Sequence, residues 1–323
     1  MNRSLLILAL LAVVVLAGVS SAVVADEHAD DHEQKSILVT GASTGIGRHL
    51  AEALAEAGHH VYAGARKPQD LDALDAIDNI TAVRLDVTKQ DEIDAVVDLI
   101  EERGTGLYAL VNNAGIGDGD TVVETPIDVQ TLVYEVNVEG VYRTTKAFAP
   151  LVMASNGRIA TTGSIAGTLS WPGGSAYSGS KHWIEAFTDA LAGEMAPHGV
   201  QVSVIQPGNY QTRIRRSGVL RRHARVVAEG GVITPEMREA YERTEARELS
   251  YKLPDEVTAA YMHALFDDEP LRRYMVVPNA DEQAMTIRTK IQQLVQLNEW
   301  GPYSYSAEEL KAMIDQAMTP AEE

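Results

Sequence analysis

Residues 36–58 read SILVTGASTGIGRHLAEALAEAG. A short apolar run over 36–40 precedes Gly41, Gly45 and Gly47, and apolar residues then recur at Ile46, Leu50, Ala53, Leu54 and Ala57. That pattern predicts a buried strand, a glycine turn and an amphipathic helix, in that order. Glycines in such a turn let the backbone approach a phosphate closely, and the free amides at a helix start carry partial positive charge toward an anion. The spacing here is G-x-x-x-G-x-G, not the G-x-G-x-x-G of the usual dinucleotide fingerprint. Taken alone it competes with an ordinary glycine turn ahead of a helix.

The same alternation continues outward. HHVYAGA over 59–65, TAVRLDV over 81–87, YALVN over 108–112, GRIATTGS over 157–164, VQVSVIQPG over 200–208 and RRYMVVP over 272–278 read as further strands. Ile93, Val96, Val97 and Ile100 line a helix between two of them, and longer helices are expected over 127–149 and 175–195. Strands alternating with helices imply a parallel sheet covered on both faces. The expected fold is therefore α/β, a Rossmann-like doubly wound parallel sheet of about seven strands in one domain over 36–280. Within it, residues 209–253 break the alternation and carry Arg213, Arg215, Arg216, Arg221, Arg222 and Arg225. They are expected to form helices over a substrate site. The arginines could meet an anionic substrate or lipid headgroups, or form a solvated face balanced by the acidic body. Residues 281–323 form a helical extension: Met285, Ile287, Ile291, Leu294, Val295 and Leu297 mark one helix and EELKAMIDQAM another. Both are expected to be core or subunit-contact helices.

Residues 1–25 are apolar from Leu5 to Ala25 apart from Ser20 and Ser21, with Arg3 ahead of the run. About 20 such residues can span a bilayer. Val23 and Ala25 equally offer the small residues that precede a signal-peptide cut. Retained anchor and cleaved signal both stand, giving possible membrane association through residues 5–25. Residues 26–35 form an acidic linker, and acids there opposite Arg3 favour sending the body across the membrane as an anchored or exported domain. A tether on the cytoplasmic face, near a nicotinamide supply, is the alternative. The chain has no cysteine, which excludes disulfides, thiolate metal sites and cysteine nucleophiles, and no metal centre is expected. Its net charge of −19 argues against nucleic acid as a partner.

TGASTGIG at 40–47, NNAG at 112–115, Asn137 in VNVEG, Ser164, YSGSK at 177–181 and PGNYQT at 207–212 occur in one order. In this the chain resembles the short-chain dehydrogenase/reductase family over about residues 36–277. One departure is Gly163, where the family commonly has a second Ser. The resemblance implies an NAD(P)-dependent oxidoreductase acting on a small alcohol or carbonyl compound, and a homo-oligomer built through the helices over 127–149 and 175–195. It carries the cofactor site onto Gly41, Ser43, Thr44, Gly45, Ile46 and Gly47, then onto Arg66, Asp86, Val87, Asn113, Ala114 and Gly115. Tyr177, Lys181, Pro207, Gly208 and Thr212 complete that site. The apolar N-terminus and the helical lid also resemble steroid and retinol dehydrogenases of the family.

Hydride transfer at a carbinol carbon needs a proton carrier at its oxygen. Tyr177 can serve if its pKa falls from about 10. Lys181 lies four residues on, on the same helix face, where its ammonium would stabilise the phenolate. Ser164 orients the substrate oxygen and Asn137 holds a water that relays protons, as the resemblance implies. His182 is read as a packing or surface residue, and Trp171 as either a pocket wall or a structural loop residue. AGARK at the end of the second strand places Arg66 where an acid would select NAD, so NADP is preferred and NAD stays possible. The alternative function is a noncatalytic nucleotide-binding or scaffold protein of the same fold.

Overall fold

Each predicted strand is too apolar to face water on either side, and this is met by burying it between two helical layers. In the computed structural model, which describes residues 34–319, seven parallel strands pair in the order β3-β2-β1-β4-β5-β6-β7. They are β1 (Ser36–Val39), β2 (His60–Ala65), β3 (Ile80–Arg84), β4 (Ala109–Asn112), β5 (Arg158–Thr162), β6 (Gln201–Pro207) and β7 (Arg273–Val276). The order reverses between β1 and β4, and at such a switch point the carboxyl ends of the strands open a crevice for a ligand. The signal or anchor segment and residues 26–33 of the acidic linker lie outside the described residues.

The helices are α1 (Gly45–Glu56), α2 (Pro68–Asp75), α3 (Gln90–Arg103), α4 (Ile127–Tyr134), α5 (Gly140–Ala154) and α6 (Ser175–Met195). Then follow α7 (Ile214–Ala228), α8 (Pro235–Leu249), α9 (Asp255–Phe266), α10 (Ala280–Asn298) and α11 (Ala307–Met318). Period-two alternation divides each strand between two cores. Ile37 and Val39 meet Leu50 and Leu54 of α1 and Tyr261 of α9 on one face; Leu38 and Tyr62 meet Ile93 of α3 and Phe148 of α5 on the other. Each such fully buried aliphatic side chain contributes about 2 kcal/mol.

Three expectations need correction. The helix expected over 127–149 is unbroken and runs on to Ala154, but it is not α throughout: a π-helical turn, Glu135–Glu139, joins α4 to α5. The cause is long-range. The Asn137 side chain is drawn to Ile116 and Ser180, and Gly140 passes so near Val87 that a Cβ there would lie 2.6 Å from Val87 Cγ2. Second, of the two readings for α10 and α11 the core one fails and subunit contact still stands: Leu297 and Met318 in the helices, and Trp300 and Tyr303 between them, are all at least 79% exposed. Amphipathic spacing shows that a face exists and is silent on what covers it. Third, the arginines of 209–253 are neither one solvated face nor a free cationic patch: Arg213, Arg215 and Arg222 are exposed, while Arg216, Arg221 and Arg225 are partly buried in ion pairs. Arg221 and Arg225 pair with the buried Asp118, Arg222 with Asp120, and Arg216 with Glu245 and Glu248. The Asp118 and Asp120 pairs dock α7 onto the loop after β4, where Gly218 passes so close that a Cβ would lie 2.4 Å from Gly117 O, and the Arg216 pairs tie α7 to α8.

Candidate active site

The cradle forms because β1 stops at Val39 and Gly41 and Gly45 adopt φ values of 66° and 60°, which side chains with a Cβ resist. Helix α1 then starts at Gly45. Its N-cap, Thr44, makes no side-chain cap bond, and no acid occupies the first turn. The opening amides of α1 therefore keep their donors for an anion, with the helix dipole behind them. Gly47 is required for a different reason: a Cβ there would lie 2.3 Å from Asn113 Nδ2 and 2.6 Å from Gly41 O. Ile46 turns inward against the core, while Ser43 lies in the turn itself.

Asn113 knits three strand ends together. Its Nδ2 donates to Thr40 O and Gly41 O at 3.0 and 3.2 Å, and its Oδ1 accepts from Thr162 Oγ1 at 3.2 Å. The Thr40 hydroxyl accepts from the amides of Asn113 and Ala114. This side chain is thus a brace of the crevice. Thr212 borders the cradle from the far side, its Cβ 3.3 Å from where a Cβ on Gly45 would stand. Gly208 follows β6 and leaves room for the Glu282 carboxylate, which would lie 2.2 Å from a Cβ there.

Past the end of β2, Arg66 is exposed and stands 3.6 Å from Asp86. Asp86 also accepts from the Thr88 amide and hydroxyl, at 3.0 and 2.8 Å. Burial pushes its carboxyl up, but the Thr88 bonds and the Arg66 guanidinium together hold it below its usual value. Val87 is buried and packs on Gly140, so its side chain belongs to the core.

Ser164, Tyr177 and Lys181 come together beyond the end of β5. Ser164 caps a short 3-10 turn, Ile165–Gly167, by accepting from Ala166 N at 3.1 Å, and its hydroxyl donates toward Pro207 O at 3.5 Å. Tyr177 and Lys181 share one face of α6, with the ammonium 5.7 Å from the centroid of the phenol ring. Burial pushes the Tyr177 phenol above its ordinary value, while the Ser164 hydroxyl and the Arg215 guanidinium draw it down. The expected lowering by Lys181 is not what this site shows. The ammonium donates instead to Thr162 O at 2.7 Å, and burial, partly offset by Glu185, pushes it down to about 8.

Asn137 is buried in the π-helical turn, a distortion often found at functional sites. Its Oδ1 accepts from Ile116 N at 2.8 Å, and its Nδ2 donates to Ile116 O and Ser180 Oγ at 2.9 and 3.0 Å. The amide is committed to holding the 113–117 loop against α6, where Asn137 Oδ1 and Lys181 Nζ both border Gly115. His182 bonds back to Ser178 O within α6. The Trp171 indole covers Gly174, where a Cβ would meet it at 2.7 Å. Thr162, Ser180 and Asp118 escaped the sequence reading. Ser180 lies within YSGSK, whereas Asp118 has no local signal because its arginines stand more than 100 residues on.

Comparison with known proteins agrees with this geometry. Residues 35–221 match the family model described as short chain dehydrogenase. The mitochondrial D-beta-hydroxybutyrate dehydrogenase of Mus musculus is 38% identical over 192 residues, which is 56% of this chain and 56% of that protein. The matched segment thus spans little more than half of that relative. A short-chain dehydrogenase/reductase from Burkholderia phymatum, solved with NAD, superposes with a TM-score of 0.69 at 26% identity, covering 84% of this chain and 99% of its own. An actinorhodin polyketide ketoreductase variant solved with NADPH gives 0.63 at 28% identity, covering 75% of this chain and 95% of its own. With its sheet order, glycine cradle and Ser-Tyr-Lys cluster in agreement, the chain belongs to the short-chain dehydrogenase family.

Proposed function

We propose that this chain is an NAD(P)-dependent oxidoreductase that interconverts an alcohol and its ketone or aldehyde, with Tyr177 as the proton carrier. The observation that carries this reading is the meeting of Ser164, Tyr177 and Lys181 beside a helix N-terminus whose amides stand free. A bound nicotinamide nucleotide supplies the hydride chemistry, accepting hydride from the carbinol carbon or returning it to the carbonyl. The opening turn of α1 would hold its pyrophosphate, and the backbone at Ala114 and Gly115 its adjoining ribose. Ser164 orients the substrate oxygen, and Tyr177 gives the proton to that oxygen on reduction or takes it on oxidation.

Because burial holds the phenol above its usual value, Tyr177 rests protonated, the state a general acid needs. In the oxidising direction the same burial opposes the phenolate, and the Ser164 hydroxyl and the Arg215 guanidinium offset it. Asn137 acts by orienting the 113–117 loop toward Lys181, and its committed amide leaves any water relay to its backbone. An exposed Arg66 past β2 favours NADP through the 2′-phosphate.

Cofactor titration followed by a panel of alcohols and ketones tests the reading, with NADPH and NADH each run in both directions. The panel includes 3-hydroxybutyrate, the substrate in the mouse relative's name. Nucleotide binding together with turnover of a panel member is expected. Tight nucleotide binding with no turnover of any member would favour the scaffold alternative.

A further inference from the structure

Six arginines lie between residues 213 and 225, and four of them are neutralised. Arg216, Arg221, Arg222 and Arg225 each face a carboxylate. Arg215 differs: among the described residues no carboxylate forms a salt bridge with its guanidinium, whose Nη2 donates to the Asn209 side-chain oxygen at 2.7 Å, while the Glu248 carboxylate accepts from its backbone amide at 2.8 Å and feels its charge. That oxygen is held in place from behind. Asn209 donates its backbone amide and its Nδ2 to the two oxygens of Glu282, at 2.9 and 3.0 Å. Glu282 is in turn fixed by Asn279, whose Oδ1 accepts from the Glu282 amide at 2.9 Å. A helix of the C-terminal extension thereby aims a lid arginine through one amide, at the cost of ordering a long side chain.

Two contacts place this arm at the catalytic cluster. Asn209 is two residues beyond Pro207, whose carbonyl faces the Ser164 hydroxyl at 3.5 Å. Arg215 follows Ile214 in the first turn of α7. A methyl group added at Gly117 would lie 3.5 Å from Ile214 Cγ1 and 3.7 Å from Tyr177 Cδ2, so the first residue of α7 and the phenol ring border the same glycine. The guanidinium is close enough to act on the phenol, behind burial and the Ser164 hydroxyl in effect. A held guanidinium whose N–H groups bond no carboxylate, beside a proton carrier, is suited to a planar anion, which it can grip through two parallel N–H bonds.

We propose that Arg215 is the carboxylate anchor of the substrate, so that the protein takes a hydroxy acid and the corresponding oxo acid. The carboxylate sits on Arg215 while the reacting oxygen lies at Ser164 and Tyr177; Asn209 and Glu282 are positioning residues for the guanidinium. The proposal rests on the oxidoreductase reading above and adds the substrate class and the residue that selects it.

The test is equilibrium binding to the full chain saturated with NADP, by calorimetric titration with 2-, 3- and 4-hydroxybutyrate and with their methyl esters. The wild type should bind at least one acid tenfold or more tightly than its ester. Arg215→Gln should lose that preference while its affinity for the ester and for NADP stays within about twofold, Arg215→Lys should keep part of it, and Arg213→Gln should keep all of it. Glu282→Gln should reduce the acid preference and leave ester binding in place, which a purely structural role would not do. Equal binding of acid and ester by the wild type, no binding of any acid, a preference that survives in Arg215→Gln, or a loss that falls on NADP instead would each overturn the proposal. Turnover is not needed for the readout. Acid binding with no oxidation of the bound acid would count against the proposed reaction and leave the anchor standing.

Discussion

The Lys181 ammonium lies 5.7 Å from the centre of the Tyr177 ring, yet its hydrogen bond goes to the Thr162 carbonyl at 2.7 Å. One helical turn brings the two side chains together, and the sheet edge claims the donor. The ammonium is thus committed to the strand-end carbonyl, and burial makes its charge costly to hold.

The first prediction follows from that cost. Burial pushes Lys181 down to about 8 from its ordinary 10.5. Between these values the unfolded chain binds more protons than the folded one, so the wild type gains stability as pH rises through this window and carries the full penalty below it. Lys181→Met removes the titrating group. The stability of Lys181→Met relative to wild type should fall by at least about 1 kcal/mol between pH 7.5 and pH 10.5, read by chemical denaturation. A constant or rising difference would contradict the buried cation.

Asp118 ties α7 to the loop after β4. Its carboxylate accepts from Arg225 at 2.9 Å and faces Arg221 at 3.3 Å, at a position almost closed to solvent. Burial pushes the group up, but the Arg225 bond, the Gly119 amide and both guanidinium charges hold it below the usual carboxylate range. Its contribution is present above the ordinary value near pH ~4 and is lost as pH falls through the folded value. Asp118→Asn should cost about 3 kcal/mol at pH 7, with a difference that narrows below pH ~4. Limited proteolysis of the variant should cut first within 209–253.

Gly47→Ala forces a methyl group to within 2.3 Å of Asn113 Nδ2 and 2.6 Å of Gly41 O. The variant should lose about 1–3 kcal/mol of stability and at least about tenfold in nucleotide affinity. Gly193→Ala is the control. Nothing lies within 4 Å of a Cβ there, in the interior of α6, and the change should stabilise the fold by about 0.5–1 kcal/mol.

Arg66→Asp reverses the charge past the end of β2. NADPH affinity should drop by at least about tenfold more than NADH affinity, because the carboxylate repels a 2′-phosphate and accepts from a 2′-hydroxyl. Equal losses would end the argument for NADP.

The sheet was legible because buried parallel strands and amphipathic helices leave periodic traces, and α6 spans the same residues, 175–195, that its sequence pattern predicts. The cradle was legible because its glycine spacing is local, and the Tyr177–Lys181 pair because it is one helical turn long, whereas Ser164, in the loop ahead of α6, is read from the family resemblance. What escaped is set by distant partners. The π-helical turn depends on Asn137 reaching Ile116 and Ser180, 21 and 43 residues away. Asp118 has meaning only beside Arg221 and Arg225, and the donor of Lys181 is taken by Thr162 across a strand end. The exposed faces of α10 and α11 show the same limit, since periodicity marks an apolar side without naming its cover.

The central claim is that the Tyr177 phenol carries the proton. It is tested most directly by measuring kcat/KM for an accepted alcohol in Tyr177→Phe, alongside the Kd for the nucleotide. The account predicts a fall of about 10²–10⁴-fold in turnover with nucleotide affinity within about twofold of wild type, since the phenol is placed at the substrate oxygen. Turnover that survives the loss of the hydroxyl would contradict it.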